Sequence, residues 1–143
     1  MTLDDLPTPC LVLDIGVLRR NIAAMAAAGV RRFVGVSGAG IDVPGDRKSR
    51  RDRAISWLVQ RLGGAVPADK VAEHRLWAAS DRDWTLVRPP RLNENHPTGA
   101  LEHDAYRSTR STLLSRADLA AFLTDLAENG SYVRQAPLVA NAR

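Results

Sequence analysis

Three stretches of the chain carry residue types that could do chemistry. Ser37 stands directly before the turn Gly38, Ala39, Gly40. Its hydroxyl can donate a hydrogen bond to a bound carbonyl or amide, or it can satisfy the backbone of the turn itself. Pro89, Pro90 and Arg91 follow an apolar run. Two successive prolines make a rigid wall, and Arg91 offers either a polar contact to a ligand or an ordinary surface guanidinium. Lys48 and Lys70 are the only lysines, and so the only side-chain amines able to form a Schiff base. The histidines His74, His96 and His103 lack the i, i+4 spacing of a helical metal site, so no metal centre is expected.

These residues must be positioned by alternating strands and helices. Residues 10–13 form a short apolar run, after which Asp14 can cap a helix carrying Leu18, Ile22, Met25 and Ala26, ended by Gly29. Residues 32–37 predict a buried strand. Ile55, Leu58, Val59 and Leu62 give a second helix its apolar stripe, stopped by Gly63 and Gly64. A third helix starts near Pro67 and buries Val71, Ala72, Leu76, Ala79 and Trp77. Residues 84–88 predict a strand that cannot continue normally through Pro89 and Pro90. A polar excursion then runs to about residue 112. Ser115 and Asp118 open a last helix in a capping-box-like pattern, with Leu119, Phe122, Leu123 and Leu126 on its core face. Residues 132–139 return as an edge strand. Helices between strands predict an α/β fold with a mostly parallel sheet, in which ligands sit beyond the carboxyl ends of strands. That rule marks Ser37 to Gly40, Pro89 to Asn93 and the helix of Lys70.

At 143 residues the chain is expected to form a single domain. The formal charge is +4, with 18 arginines spread along the chain among 16 acidic residues, so a nucleic-acid partner is not expected. The densest run, RKSRRDR at residues 47–53, holds no interleaved aromatic for base stacking and reads as a solvated loop and helix start. Cys10 is the only cysteine. No intrachain disulfide can form, and a buried free thiol in a reducing, cytoplasmic compartment is expected. No stretch approaches the ~20 apolar residues of a membrane helix, and residues 1–5 lack a signal peptide's basic flank, so no membrane partner is expected.

DKVAEHRLWAASDRDWTLVRPPRL at residues 69–92, GVRRFVGVSGAG at 29–40 and SRADLAAFLTDL at 115–126 together resemble the atypical short-chain dehydrogenases/reductases. The likeness is to their NAD(P)H-binding NmrA-like and flavin/biliverdin-IXβ reductase-like members, and covers about residues 24–140. The resemblance implies a partial, truncated Rossmann-like region over residues 28–143 with NADP or NAD as cofactor and a flavin- or quinone-like small-molecule acceptor. It implies Ser37 as the catalytic hydroxyl, Ser37, Gly38, Pro89, Pro90 and Arg91 around the nicotinamide, and Lys70 on the nicotinamide ribose. Two positions depart from the family pattern. Gly38 replaces a second serine, and Val66 replaces the tyrosine four residues before Lys70, which removes the usual Tyr-Lys proton relay.

LDDLPTPCLVLDIGVLRRNIAAMA at residues 3–26 is similar instead to the opening of D-threonine aldolases and alanine-racemase-like PLP enzymes. That similarity implies a junction of two ancestries near residues 23–28. PLP chemistry has no anchor, because both lysines lie in the reductase-like part.

Dinucleotide affinity normally depends on a helix N-terminus and glycines that let backbone approach the pyrophosphate. In the analogous turn, LDIGVLRR, Gly16 stands alone and Asp14 sets a carboxylate beside the phosphates. Three readings follow: a truncated NAD(P)H-dependent reductase completed by a partner chain, a non-catalytic NmrA-like binding or regulatory module, and a relic of a PLP enzyme. A strand left open by the missing half also predicts homo-oligomerisation.

Overall fold

The computed structural model describes residues 14–142. The apolar run at 10–13, the Cys10 thiol and residues 3–13 of the PLP-enzyme-like segment lie outside the described residues. Helix α1, Ile15–Ala27, begins where the Asp14 carboxylate accepts from the Val17 N–H at 3.0 Å. It ends before Gly29, whose φ of +71° suits the left-handed position that glycine takes at little cost. Leu18, Ile22 and Met25 of α1 pack against the core, as their spacing predicts.

Strand β1, Arg32–Val36, pairs in parallel with β2, Asp83–Val87, in the register Phe33↔Trp84 to Val36↔Val87. The crossover between them contains α2, Arg50–Leu62, and α3, Ala65–Ala79. β2 buries both faces. Trp84 and Leu86 pack with Trp77 and Ile41 on one side, while Val87 joins Leu114, Phe122, Leu126 and Val139 on the other. Along its second edge β2 meets the 135–138 segment through the parallel bridges Thr85↔Gln135 and Arg88↔Leu138. This is the α/β layout with mostly parallel strands that the sequence predicts.

Beyond Pro90 the chain forms β3, Arg91–Asn93, then β4, Leu101–Asp104, and β5, Leu113–Ser115. β3 and β5 pair in parallel, and β4 pairs antiparallel with β6, Leu138–Asn141. Helix α4, Arg116–Asn129, buries Leu119, Phe122 and Leu126.

The structure corrects four sequence expectations. The excursion at 94–112 contains a strand and is preceded by another; their sequences LEHD and RLN are too short and polar to show period-two patterning. The last strand starts at Leu138 rather than 132, because Tyr132 and Arg134 have φ of 55° and 58°. It is not an edge, lying between β4 and the end of β2. The apolar stripe of α2 faces largely outward, with Leu62 73% exposed and Ile55, Leu58 and Val59 also exposed; the residue α2 buries is Ser56. On α3, Ala79 is exposed and Glu73 is buried.

Two charged centres hold the connections in place. Arg88, with no solvent exposure, places its two terminal nitrogens on the two Asp46 oxygens at 2.7 Å each, and its Nε donates to the Ala136 carbonyl at 2.7 Å. The fork ties the end of β2 to the 41–46 loop and to the approach to β6. Asp118, buried near the α4 N-terminus, accepts from the Thr98 and Gly99 N–H groups at 2.9 and 3.0 Å, from Ser115 Oγ at 2.8 Å and from Asn141 Nδ2 at 2.6 Å. Those donors, the Thr98 N–H foremost, outweigh burial and hold its carboxyl well below the usual carboxylate range.

Two predictions follow from these centres. Arg88→Met leaves Asp46 buried without its fork and is expected to cost about 3–5 kcal/mol in urea unfolding, a large share of a domain's total. Arg88→Lys cannot restore a bidentate pair and is expected to recover only part of the loss. Asp118→Asn is expected to cost about 1–3 kcal/mol at neutral pH. Because the native pKa of Asp118 is lowered, its contribution is complete above the unfolded carboxylate value of about 4 and fades as pH falls below it. The wild type's advantage over Asp118→Asn should therefore narrow between neutral pH and about pH 3.

Candidate functional site

The ladder between β1 and β2 continues past the strand ends. The Ser37 N–H donates to the Val87 carbonyl at 2.7 Å and the Ala39 N–H to the Pro89 carbonyl at 3.0 Å. Pro89 has no N–H to extend the ladder, so the two backbones separate there. What opens beyond the carboxyl ends of these parallel strands is a cavity of about 680 Å³. Gly38, Ala39 and Gly40 form one wall, and Pro89, Pro90 and Arg91 form another. Ile55 and Val59 of α2 contribute apolar surface, joined by Leu113 and Leu138. The cavity's polar groups come from Lys48, Asp52 and Ser56 and from the hydroxyl-rich stretch Ser108, Thr109, Ser111 and Thr112.

Of the residues predicted from sequence, Gly38, Pro89, Pro90 and Arg91 thus meet around one cavity. Ser37 is adjacent to its wall without lining it. Its Oγ is buried and has no hydrogen-bond partner among the described residues. Lys70 lies elsewhere, on α3, where its Nζ donates to Glu73 Oε2 at 2.9 Å. Lys48, which sequence reasoning treated as part of a basic run and as one of two lysines without a PLP site, is the lysine at the cavity. Its buried Nζ donates within the protein, to the carbonyls of Ala39 and Ile41, to Asp42 Oδ1 and to Ser56 Oγ. Ser56 is the signal that could have found it, being a small polar residue interrupting an apolar helix pattern. The partnership joins a loop to a helix, so no local periodicity displays it.

The cavity's ionisable groups are poorly suited to proton transfer. An ammonium shared among four acceptors is a structural pin. Burial acts to raise the Asp52 pKa, but hydrogen bonds from Ser108 and Ser49 and the neighbouring Arg51 outweigh it, holding the carboxyl below its usual range and ionised at neutral pH. His74 is kept neutral chiefly by burial and next by the Arg88 charge; its ring packs edge-on to Trp84 at 5.5 Å rather than lining the cavity. Among the described residues, no cluster of three or more His, Cys, Asp or Glu is gathered to hold a metal.

A nicotinamide-type group fits the strand-end side of this cavity. A Cβ placed on Gly38 would meet no protein atom within 4 Å, and the buried Ser37 Oγ beside it is unpartnered. Among the described residues, the N–H groups of Gly38 and Gly40 are also without an acceptor. The start of α1 fits a pyrophosphate badly. The Asp14 carboxylate already takes the Val17 N–H and sets a negative charge at this end, its Oδ1 standing 3.1 Å from where a Gly16 Cβ would be.

No curated protein matches the sequence. Solved structures do match in fold. ChuY, an anaerobillin reductase from Escherichia coli O157:H7, is 21% identical with a TM-score of 0.69, over 94% of this chain and 61% of its own. A short-chain dehydrogenase/reductase from Veillonella parvula in complex with NADP is 16% identical with a TM-score of 0.69, over 88% of this chain and 58% of its own. A protein from Streptococcus pneumoniae TIGR4, named as a candidate NADH-flavin reductase, is 16% identical with a TM-score of 0.63, over 93% and 69%. The chain spans about three fifths of the length of such structures. They establish a Rossmann-like α/β fold. No comparison shows the expected likeness to PLP enzymes, and the match to an NAD(P)H-binding family model runs unbroken over residues 8–130, across the expected junction at 23–28. With most of its length matched in this way, the chain belongs to the NAD(P)H-binding family and carries an NAD(P)H-binding domain.

Proposed function

We propose that this chain supplies the nicotinamide and acceptor side of an NAD(P)H-dependent reductase whose acceptor is a planar conjugated ring system such as a flavin or quinone. The observation that carries the reading is the 680 Å³ cavity formed where β1 and β2 end together. When bound, the reduced dinucleotide supplies a hydride to the acceptor, and water supplies any balancing proton. The protein's part is to position and to exclude solvent. Ser37 Oγ donates to the carboxamide or to an acceptor carbonyl. Gly38 leaves room for a ring, and Pro89 and Pro90 form the rigid face against which it lies. Lys48 keeps the 39–41 backbone in place, and Arg91 lies on the acceptor side.

The absence of a proton relay favours a reductase over an alcohol dehydrogenase. Val66 stands where a tyrosine would be needed, Lys70 pairs with Glu73, and Asp52 is held ionised. Hydride transfer to a flavin-like acceptor makes little demand on side-chain acids. The fit of the pyrophosphate is left to groups outside the described residues. β1 pairs on one edge only among the described residues, so we also propose that copies of the chain, or a partner chain, associate along it.

Titration of the purified chain with NADPH and NADH, read by dinucleotide fluorescence, tests the reading together with flavin-dependent loss of reduced dinucleotide. A saturable change and turnover are expected. Ser37→Ala should lower kcat/KM about 2- to 10-fold, as for one lost hydrogen bond. Gly38→Val should fold, since its side chain enters open space, yet lose binding. No saturable change at millimolar dinucleotide would overturn the proposal, and binding without turnover of any acceptor would favour a regulatory module instead. Light scattering is expected to show a dimer or larger species; a strict monomer would contradict association along β1.

A further inference from the structure

Resting on the reading of the cavity as an acceptor pocket, we infer that the site selects acceptors bearing an anionic tail, held by the Arg91 guanidinium and the Thr112 hydroxyl. The cavity divides chemically. Pro89, Pro90, Ile55, Val59 and Leu138 give it an apolar interior suited to a planar ring system. Most of its polar groups are committed to the protein itself. Lys48 is fully engaged, and Ser108 Oγ accepts from the Ser49 N–H at 3.0 Å while bonding to Asp52. Thr109 Oγ1 donates to the Ser111 carbonyl at 2.9 Å.

Arg91 and Thr112 are different. Both line the cavity and are exposed, and neither side chain has a hydrogen bond or ion pair among the described residues. Their backbones are neighbours, because the β3–β5 register sets Arg91 opposite Leu113, the residue after Thr112. A planar five-donor guanidinium and a hydroxyl lining one cavity suit a phosphate or carboxylate.

The surrounding charge points the same way. The segments at 47–53 and 107–112 contain seven Lys or Arg and one carboxylate, Asp52. They are drawn together at the cavity's edge by the bridge Arg47↔Arg107 and the Arg47 N–H to Tyr106 carbonyl bond of 2.8 Å. Lys48 pairs with Asp42 and Asp46, Arg51 with Asp52 at 3.4 Å and Arg110 with Glu102 at 3.5 Å, which leaves Arg47, Arg50, Arg53 and Arg107 without an ion pair among the described residues. The remaining field is positive and attracts an anion towards the opening.

The test compares ligands that differ only in the tail. Binding of FMN and riboflavin is read by flavin fluorescence, and binding of biliverdin and its dimethyl ester by absorbance, with an NADPH titration alongside. At low salt the anionic member of at least one pair is expected to bind about fivefold more tightly or better, the scale of one partly desolvated ion pair. Which pair discriminates identifies phosphate or carboxylate as the preferred tail. The ratio should collapse towards one in Arg91→Ala and at about 0.5 M salt, where screening lengths shrink to a few Å, and should survive in part in Arg91→Lys. Equal affinities, a preference that persists in Arg91→Ala, or no binding of any of the four would overturn the inference. NADPH binding without tail discrimination would sink the inference and leave the reductase reading standing. Discrimination without dinucleotide binding would do the reverse.

Discussion

The guanidinium of Arg88, sealed from solvent where β2 stops, is the interaction on which the cavity's geometry rests. A buried cation is tolerable only when its donors are met, and here Asp46 takes the fork while backbone carbonyls take the rest. The consequence is mechanical. The loop that follows β1, the start of the Pro89-Pro90 wall and the approach to β6 are fixed to one another by one side chain. Lys48 works on the same loop from the other side, reaching the Ile41 carbonyl that Arg88 also contacts and lying 3.7 Å from Asp46. Two buried cations and one buried carboxylate therefore hold this loop together with the packing of Ile41 and Val43 in the core, leaving the cavity side free for apolar surface.

That arrangement explains why a site can be well formed with so little acid-base equipment. Arg91 apart, the charges near it are consumed in holding the protein together, and what else faces the open space is proline, glycine, aliphatic side chain and hydroxyl. Such a surface can position a ring and exclude water, which suits chemistry carried by a cofactor. The exposed apolar residues of α2 belong to the same economy of roles: Ile55 and Val59 are not core residues turned outward by accident but part of the cavity wall.

Much of the framework was legible in the sequence because it is written locally. The Asp14 and Ser115 caps, the ends at Gly29 and Gly63, and the break at Pro89 all depend on neighbours within a few residues. Gly38, Pro89, Pro90 and Arg91 could be grouped from the rule that ligands sit at the carboxyl ends of parallel strands. The parts that were not legible depend on distant partners. Lys48 finds Ser56 across a loop-to-helix contact, Asp118 gathers Thr98, Gly99 and Asn141 from two other segments, and β3 and β4 are strands only because β5 and β6 pair with them. The outward face of α2 misled for a related reason. Helical periodicity reports that one face is apolar, not whether that face meets a core or a cavity. Lys70 was placed by family position and by the strand-end rule that marked its helix, and neither takes account of Glu73, which lies one turn further along α3 and holds the Lys70 ammonium on the helix surface.

The central claim is that a dinucleotide's reactive end lies where β1 and β2 finish together. Mapping backbone amide chemical shifts of the chain during NADPH titration tests this most directly. The account predicts that the saturable shifts cluster at residues 37–40 and 91–92, with smaller changes along α2. Shifts confined to α1, or to the β4 and α4 side, would contradict it.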